Sequence, residues 1–263
     1  GLQYDRNWIV DSRSSRFISQ RQIPKLALVQ PSFQDNFTYL CLEAPSMEPV
    51  KIPISNPSSY QKRTVSVWDD ECPDCIDEGD VVSEWLTRYA KMHKAIDDDG
   101  QLRLVRIPEY HNRKTEQNYQ VQKTENLVSF ADGFPFLLIS VSSLNELNQR
   151  IRNIQGSEVI MKQFRPNIVV DGEKMFPFIE DKWKEISVGN ILFHVLKSCT
   201  RCKLTTVNPE IGVFAGPEPL QTLHTFREGL LDGGKEVCFG QNLTHVGTGV
   251  LHANDLVTVQ KWK

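Results

Sequence analysis

The first hundred residues alternate short apolar runs with turn signals, a rhythm that indicates β-strands joined by tight connections. The runs are Trp8-Ile-Val, Leu26-Ala-Leu-Val, Tyr39-Leu-Cys-Leu, Val50-Lys-Ile-Pro-Ile and Thr64-Val-Ser-Val-Trp. We expect the first strand to be under way already at Asp5. One amphipathic helix interrupts the pattern, because apolar residues recur at helical spacing from Asp80 onward.

The remaining residues predict further strands and one more helix. Residues 111–126 are polar and without periodicity, which predicts an exposed connection. After them we expect a buried strand at 136–140, a helix opened by Ser143 with Glu146 completing a capping box, and strands at 167–171, 191–196 and 255–259. The predicted fold class is mainly β with a few helices (α+β), with the strands in closed or partly closed barrels.

The charge balance limits the kinds of partner. Thirty Lys and Arg face 33 Asp and Glu, a formal net charge of -3, so no field over the whole surface would attract nucleic acid. An anionic ligand must therefore meet a local basic pocket. No apolar run reaches the ~18 to 20 residues that span a bilayer. We expect a targeting or anchoring segment to precede Gly1.

Cysteines supply the densest chemical signal. Six are spread over 263 residues, which favours reduced thiols and an intracellular setting over a secreted disulfide scaffold. Cys199 and Cys202 form a C-x-x-C pair directly after an apolar strand. Such a pair can bind zinc, perform redox chemistry or present one thiolate to a heavier metal. Arg201 and Lys203 flank Cys202, and their positive charges suit a metal-binding thiolate.

A second pair, Cys72 and Cys75, would complete a four-cysteine zinc site by count, but the intervening chain is much longer than zinc ribbons use. The aspartates around it are expected to raise both pKa values and to make these thiols poor nucleophiles. Arg165 precedes an apolar strand, and arginine suits bidentate phosphate contacts. The simplest interpretation of Arg6 is a salt bridge with Asp5. Zinc-hydrolase, nucleophile-elbow, dinucleotide-binding and P-loop motifs are absent from the sequence.

Several segments occur in an order that resembles the MOSC family, named after the C-terminal domain of molybdenum-cofactor sulfurases. They are GLQYDRNWIV, FPFLLISVSSLNELN, FRPNIVVDG, FIEDKW, CTRCKLTTVNPEIG and FGQN. The resemblance covers nearly the whole chain and is closer to the amidoxime-reducing branch than to the sulfurases. It implies an N-terminal MOSC-type β-barrel-like domain in residues 1–106, truncated at its start, and a MOSC β-barrel domain in residues 107–263.

The same resemblance implies a cofactor and its binding residues. The cofactor is the molybdenum cofactor (Mo-molybdopterin), and its metal-binding cysteine corresponds to Cys202. Cys199 is then expected either to support the metal-binding residues from behind or to have a structural role, rather than to be a ligand. Seven other residues, from five separate segments of the chain, are expected to bind the cofactor: Arg6, Asp132, Arg165, Asn167, Thr200, Arg201 and Asn242. Asp132 lies where relatives often carry small hydroxyl residues.

By resemblance, the chain is an oxidoreductase that reduces small N-hydroxylated compounds such as amidoximes. Electrons would come from NADH through NADH-cytochrome b5 reductase and cytochrome b5, at the mitochondrial outer membrane. A surface that docks an acidic cytochrome should be locally basic. Two alternatives stay open: a sulfurase-type module that carries the cofactor without using it, and a non-enzymatic scaffold whose two C-x-x-C pairs hold zinc.

Overall fold

The computed structural model describes residues 1–12, 17–54, 60–122, 124–173, 175–229 and 234–263. In this part of the chain the fold is mainly β with three α-helices, which confirms the predicted fold class. The strands and helices in chain order are β1 Trp8–Ser12, β2 Phe17–Ile18, β3 Gln30–Gln34, β4 Tyr39–Glu43, β5 Val50–Pro53, β6 Lys62–Val67, β7 Asp70–Asp77, α1 Asp80–Met92, β8 Leu102–Arg106, β9 Phe136–Ser140, α2 Val141–Asn153, β10 Ile168–Val170, β11 Trp183–Val188, β12 Ile191–Thr200, β13 Val207–Asn208, β14 Val213–Phe214, α3 Leu220–His224, β15 Cys238–Val246 and β16 Val257–Trp262.

The chain forms two compact units. The N-terminal unit contains residues 6–113 together with 207–214, the short hairpin of β13 and β14. The C-terminal unit contains residues 1–5, 114–206 and 215–263. No helix in the described ranges is long and apolar enough to cross a bilayer.

The N-terminal unit encloses its core between α1 and two antiparallel sheets. The strand orders are β2-β1-β8-β7-β6 and β3-β4-β5. From α1, Val82, Trp85 and Leu86 are buried in the same cluster as Leu40 and Leu104 of the two sheets. The predicted helical spacing thus places one apolar face of α1 against both sheets.

Two predictions for this unit were wrong. The first strand begins at Trp8 rather than Asp5, because Tyr4 and Arg6 adopt the left-handed conformation (φ 62° and 53°), which interrupts extended backbone. The apolar run at Leu26 is part of the 3-10 turn Pro24–Leu28. Pro24 favours this turn since its ring fixes φ near the helical value.

The five-stranded sheet carries buried charges that face one another. Asp11 and Asp77 are fully or almost fully buried, and Arg63 lies 3.4 Å from the first carboxylate and 3.5 Å from the second. Arg103 donates to Asp77 at 2.9 Å. Burial disfavours a charged carboxylate and raises the pKa of Asp11 to about 6, although the charge of Arg63 acts in the opposite direction.

This raised pKa predicts a pH dependence of stability. The folded chain binds a proton at Asp11 up to about pH 6, whereas the unfolded chain releases it near pH 4. The stabilising contribution of Asp11 is therefore present below pH 4 and is lost as pH rises through 6, about 1 kcal/mol between pH 5 and 7. Urea unfolding of the wild type and Asp11→Asn at both pH values measures it. A difference between the two proteins that does not change with pH would contradict the assignment.

The C-terminal unit is built on a six-stranded sheet in the order β10-β9-β15-β12-β11-β16. All five residues of β9 are buried, because both faces of this strand are covered. Leu138 packs on one face with Phe193, and Ile139 packs on the other face with Leu147 of α2 and with Phe239. The predicted buried strand at 136–140 is thereby confirmed.

Helix α2 begins differently from the prediction. Ser140 is its N-cap and accepts a hydrogen bond from the Ser143 amide at 3.1 Å. The Ser143 hydroxyl instead donates to the buried carboxylate of Glu180 at 2.7 Å. Glu146, the expected second half of the capping box, pairs with Arg150 at 2.7 Å. The prediction of a capping box was wrong, because the Ser143 hydroxyl donates to the carboxylate of Glu180, a residue distant in sequence that lies at the start of the helix.

The polar connection at 111–126 is only partly exposed. It contains a 3-10 turn at Gln117–Tyr119, and Lys123 lies outside the described residues. Asn126 is buried because its side chain closes the loop, accepting from the Val121 amide at 2.8 Å and donating to the Val121 carbonyl at 2.9 Å. Side-chain hydrogen bonds replace the apolar face that the sequence lacks here.

Candidate functional site

Cys202 lies in the turn that follows β12. Its side chain is exposed, while its carbonyl oxygen accepts hydrogen bonds from the Thr205 amide at 3.0 Å and the Thr205 hydroxyl at 2.9 Å. Leu204 and Thr205 are buried in the following 3-10 turn. The backbone on the C-terminal side of Cys202 is therefore anchored although the thiol remains accessible. Thr200, the last residue of β12, is also exposed.

Arg201 anchors the other side of this turn. Its amide donates to the Val237 carbonyl at 2.8 Å. Its guanidinium donates to the Cys199 Sγ at 2.9 Å and to the Phe164 carbonyl at 2.7 Å. The guanidinium also lies over the Phe164 ring, 5.3 Å from its centroid. Arginine delivers several donors in a fixed plane, so one side chain can hold two loops together.

The expected phosphate-binding arginine lies on the second of these loops. Arg165 follows the 3-10 turn Met161–Phe164 in the left-handed conformation, with φ 57° and ψ 47°, and its side chain is exposed. A non-glycine residue in this conformation costs energy and is retained where the surroundings require it. Pro166, Asn167 and β10 follow, so the left-handed conformation of Arg165 redirects the chain into the sheet.

Asn167 has a structural task at the start of β10. Its amide oxygen accepts from the Leu137 amide at 2.9 Å, and its backbone amide donates to the Leu137 carbonyl at 2.9 Å. Its side-chain nitrogen donates to Asp5 at 2.8 Å. These contacts fix the position of the loop relative to β9.

Gln163 is a residue of this region that no sequence motif indicates. Its side chain is buried, accepts from the Ile160 amide at 2.8 Å and donates to the Thr205 carbonyl at 2.9 Å. Gln163 therefore joins the loop of Arg165 to the loop of Cys202. A single glutamine carries no motif, so its role could only be recognised once residues 42 positions apart in sequence were seen in contact.

Asn242 and Asp132 are connected to the region more remotely. Asn242 of β15 pairs with Leu137 of β9 on one side and with Lys197 of β12 on the other. The Lys197 ammonium lies 5.0 Å from the centre of the Tyr119 ring, and Phe134 packs edge-on against the same ring at 5.6 Å. This contact holds the exposed loop of Asp132 beside that part of the sheet.

Seven of the eight expected site residues thus belong to the C-terminal unit, and hydrogen bonds bring the loops of Arg165 and Cys202 together. Arg6 belongs to the N-terminal unit, in the turn before β1. Around Cys202 the chain places three further cations, Arg165, Arg201 and Lys203. The arrangement can present a thiol to a metal and positive charge to an anionic group.

The other C-x-x-C pair is of a different kind. Cys72 and Cys75 are buried in β7, and burial raises both pKa values, that of Cys75 to about 12. The expected direction is confirmed, but burial is a larger cause than the neighbouring aspartates. No group of three or more His, Cys, Asp or Glu side chains able to hold a metal occurs among the described residues.

The chain matches two family models, "MOSC domain" over residues 125–258 and "MOSC N-terminal beta barrel domain" over residues 1–93. It is 37% identical to the mitochondrial amidoxime reducing component 2 of Rattus norvegicus, over 86% of this chain and 63% of that protein. It is 34% identical to the component 1 protein of Danio rerio, over 98% of this chain and 76% of that protein. The human component 1 protein is 30% identical, with coverage of 96% and 72%. The chain thus spans less than two thirds of the rat protein.

Proposed function

This chain belongs to the MOSC domain family and is homologous to the mitochondrial amidoxime-reducing components, and from this premise we propose that it is a molybdenum-dependent reductase of N-hydroxylated compounds. In this proposal residues 1–106 form the N-terminal domain and residues 107–263 form the MOSC domain. One observation carries the proposal: an exposed cysteine and an exposed arginine lie on two loops that Gln163 and Arg201 tie together.

The donor set fits the molybdenum cofactor. Cys202 offers a soft sulfur ligand, which suits a metal already held by dithiolene sulfur. Arg165 and Arg6 are the proposed contacts for the phosphate and pterin, because one guanidinium can donate two parallel hydrogen bonds to the oxygens of a phosphate. Thr200 and Arg201 would contribute through the backbone of the cysteine loop. Asn242 and Asp132 are the remaining proposed contacts.

The protein residues would bind and orient rather than react. When bound, the molybdenum centre supplies the oxygen-accepting redox chemistry that the side chains lack. The anchored backbone on both sides of Cys202 would keep its sulfur in one position, and preorganisation of this kind avoids reorganisation during turnover. Asn167 would hold the loop of Arg165 in place rather than contact the cofactor through its amide oxygen, because that oxygen already accepts a hydrogen bond from the Leu137 backbone amide.

We further propose the electron route and location that the relatives suggest. Cytochrome b5 and NADH-cytochrome b5 reductase would deliver electrons from NADH, and the protein would act at mitochondria. Arg165 and Lys203 are exposed and positively charged, which would favour an acidic donor protein.

Elemental and pterin analysis tests the proposal. The chain would be expressed in a host that makes molybdenum cofactor. We expect molybdenum and pterin each near one per chain, and reduction of benzamidoxime with reduced cytochrome b5. Absence of both groups would contradict the proposal. Both groups without any reduction would instead indicate a cofactor carrier.

A further inference from the structure

Cys199 and Gln163 belong to the loops around Cys202, the proposed metal ligand, and neither of them is proposed as a ligand. We propose that Gln163, Arg201 and Cys199 form a clamp that sets the position of the Cys202 loop. They are positioning residues in this proposal, which rests on the proposed function for what the loop holds.

In the first half of the clamp, the Gln163 side chain joins the backbone at Ile160 to the backbone at Thr205. Its side chain is only 6% exposed, and both ends of its amide are used, the oxygen by the Ile160 amide and the nitrogen by the Thr205 carbonyl. The Thr205 amide and hydroxyl in turn hold the Cys202 carbonyl. A buried amide with both ends satisfied resists displacement, because any shift leaves polar groups without partners.

The Arg201 half of the clamp works on the opposite side of Cys202. One terminal nitrogen of its guanidinium donates to the Cys199 sulfur at 2.9 Å, and the other donates to the Phe164 carbonyl at 2.7 Å. The plane also covers the Phe164 ring. Because both terminal nitrogens of Arg201 donate to protein atoms, we assign its side chain the role of holding the loop. The backbone of Arg201 remains next to Cys202 in sequence.

This geometry gives the first cysteine of the C-x-x-C pair a function. Cys199 is partly buried, packs against the α2 side of the sheet and accepts the Arg201 hydrogen bond. Sulfur is a weak acceptor, but a charged donor strengthens the contact. Cys199 would therefore orient Arg201, and through it the turn, without contacting a metal. A serine could replace the acceptor, whereas an alanine could not.

Hydrogen exchange on the chain without cofactor tests the clamp directly. The variants are Gln163→Met, Cys199→Ala and Cys199→Ser, with Gln149→Met on the exposed face of α2 as the matched control. We expect amide exchange in residues 200–206 to rise on the order of tenfold in the first two variants, because hydrogen bonds that suppress local opening are lost. Cys199→Ser should exchange close to the wild type. Residues 257–262 of β16 should not change.

The second measurement is the rate of pterin release from loaded protein, which should increase in the same two variants and be restored by Cys199→Ser. Unchanged exchange in residues 200–206 would overturn the clamp, as would an equal rise in residues 257–262. A local rise with unchanged pterin release would overturn the positioning role. If the wild type contains no pterin, the proposed function fails, and the exchange experiment alone decides whether the clamp exists.

Discussion

Replacing Cys202 by alanine is expected to remove molybdenum from the protein and to lower the turnover of N-hydroxylated substrates on the order of a thousandfold or more. A lost outer-shell contact typically costs ~10- to 100-fold, and loss of the ligand itself should cost more. Cys202 is the exposed thiol of the C-x-x-C pair and lies in a turn held on both sides, so the loss would be chemical rather than a collapse of the loop.

Cys199→Ala is the matched comparison, since Cys199 is a partly buried thiol three residues away. We expect it to retain molybdenum with a decrease of at most ~100-fold in turnover. Molybdenum per chain by mass spectrometry and steady-state kcat on the same preparations are the measurements. If Cys202→Ala keeps both properties and Cys199→Ala loses them, Cys199 is the ligand.

Replacing Glu180 by alanine should lower the free energy of unfolding by about 3 kcal/mol, because buried donors lose their acceptor. The Glu180 carboxylate is 1% exposed. Ser143 donates to it at 2.7 Å, and the Ser140 hydroxyl lies 3.0 and 3.1 Å from its two oxygens. The carboxylate also lies at the N-terminus of α2, where the helix dipole favours negative charge.

Glu180→Gln separates charge from volume, and it should cost about half as much, because the amide keeps one acceptor but loses charge assistance. Glu173→Ala is the control, an exposed glutamate of the same segment, with an expected change within about 0.5 kcal/mol. Urea titrations followed by tryptophan fluorescence give the three values. A Glu180→Ala protein as stable as the Glu173→Ala control would contradict the proposed role of the buried carboxylate.

Local pattern was a good guide wherever burial follows one period. The strands around Tyr39, Val50 and Phe136 and the helix from Asp80 could be predicted because their apolar residues repeat with the period of the element that buries them. The pattern of apolar residues failed to predict the secondary structure where a backbone conformation or a group from a distant part of the chain determines it. The left-handed Tyr4 and Arg6 delay β1, and Pro24 makes a 3-10 turn of an apolar run.

Strands without a clear pattern were missed as well. β7 reads Asp-Glu-Cys-Pro-Asp-Cys-Ile-Asp and is polar enough to resemble a loop. It is held in the sheet by pairing with β6 and β8. β15 contains Gly240 in the left-handed region and was likewise not predicted. Its place between β9 and β12 comes from long-range pairing, which no local window contains.

The sequence by itself determined the mainly β fold class, the family and the thiol and cationic groups of the candidate site, since these depend on residue type and order. Tertiary structure alone decided which of those groups lie together. Gln163 meets Thr205, Arg201 meets Phe164, and Glu180 meets Ser143 through hydrogen bonds between distant parts of the chain. A polar side chain shows in sequence what it can donate or accept, but the fold selects its partner, because burial leaves only the nearest groups to satisfy it.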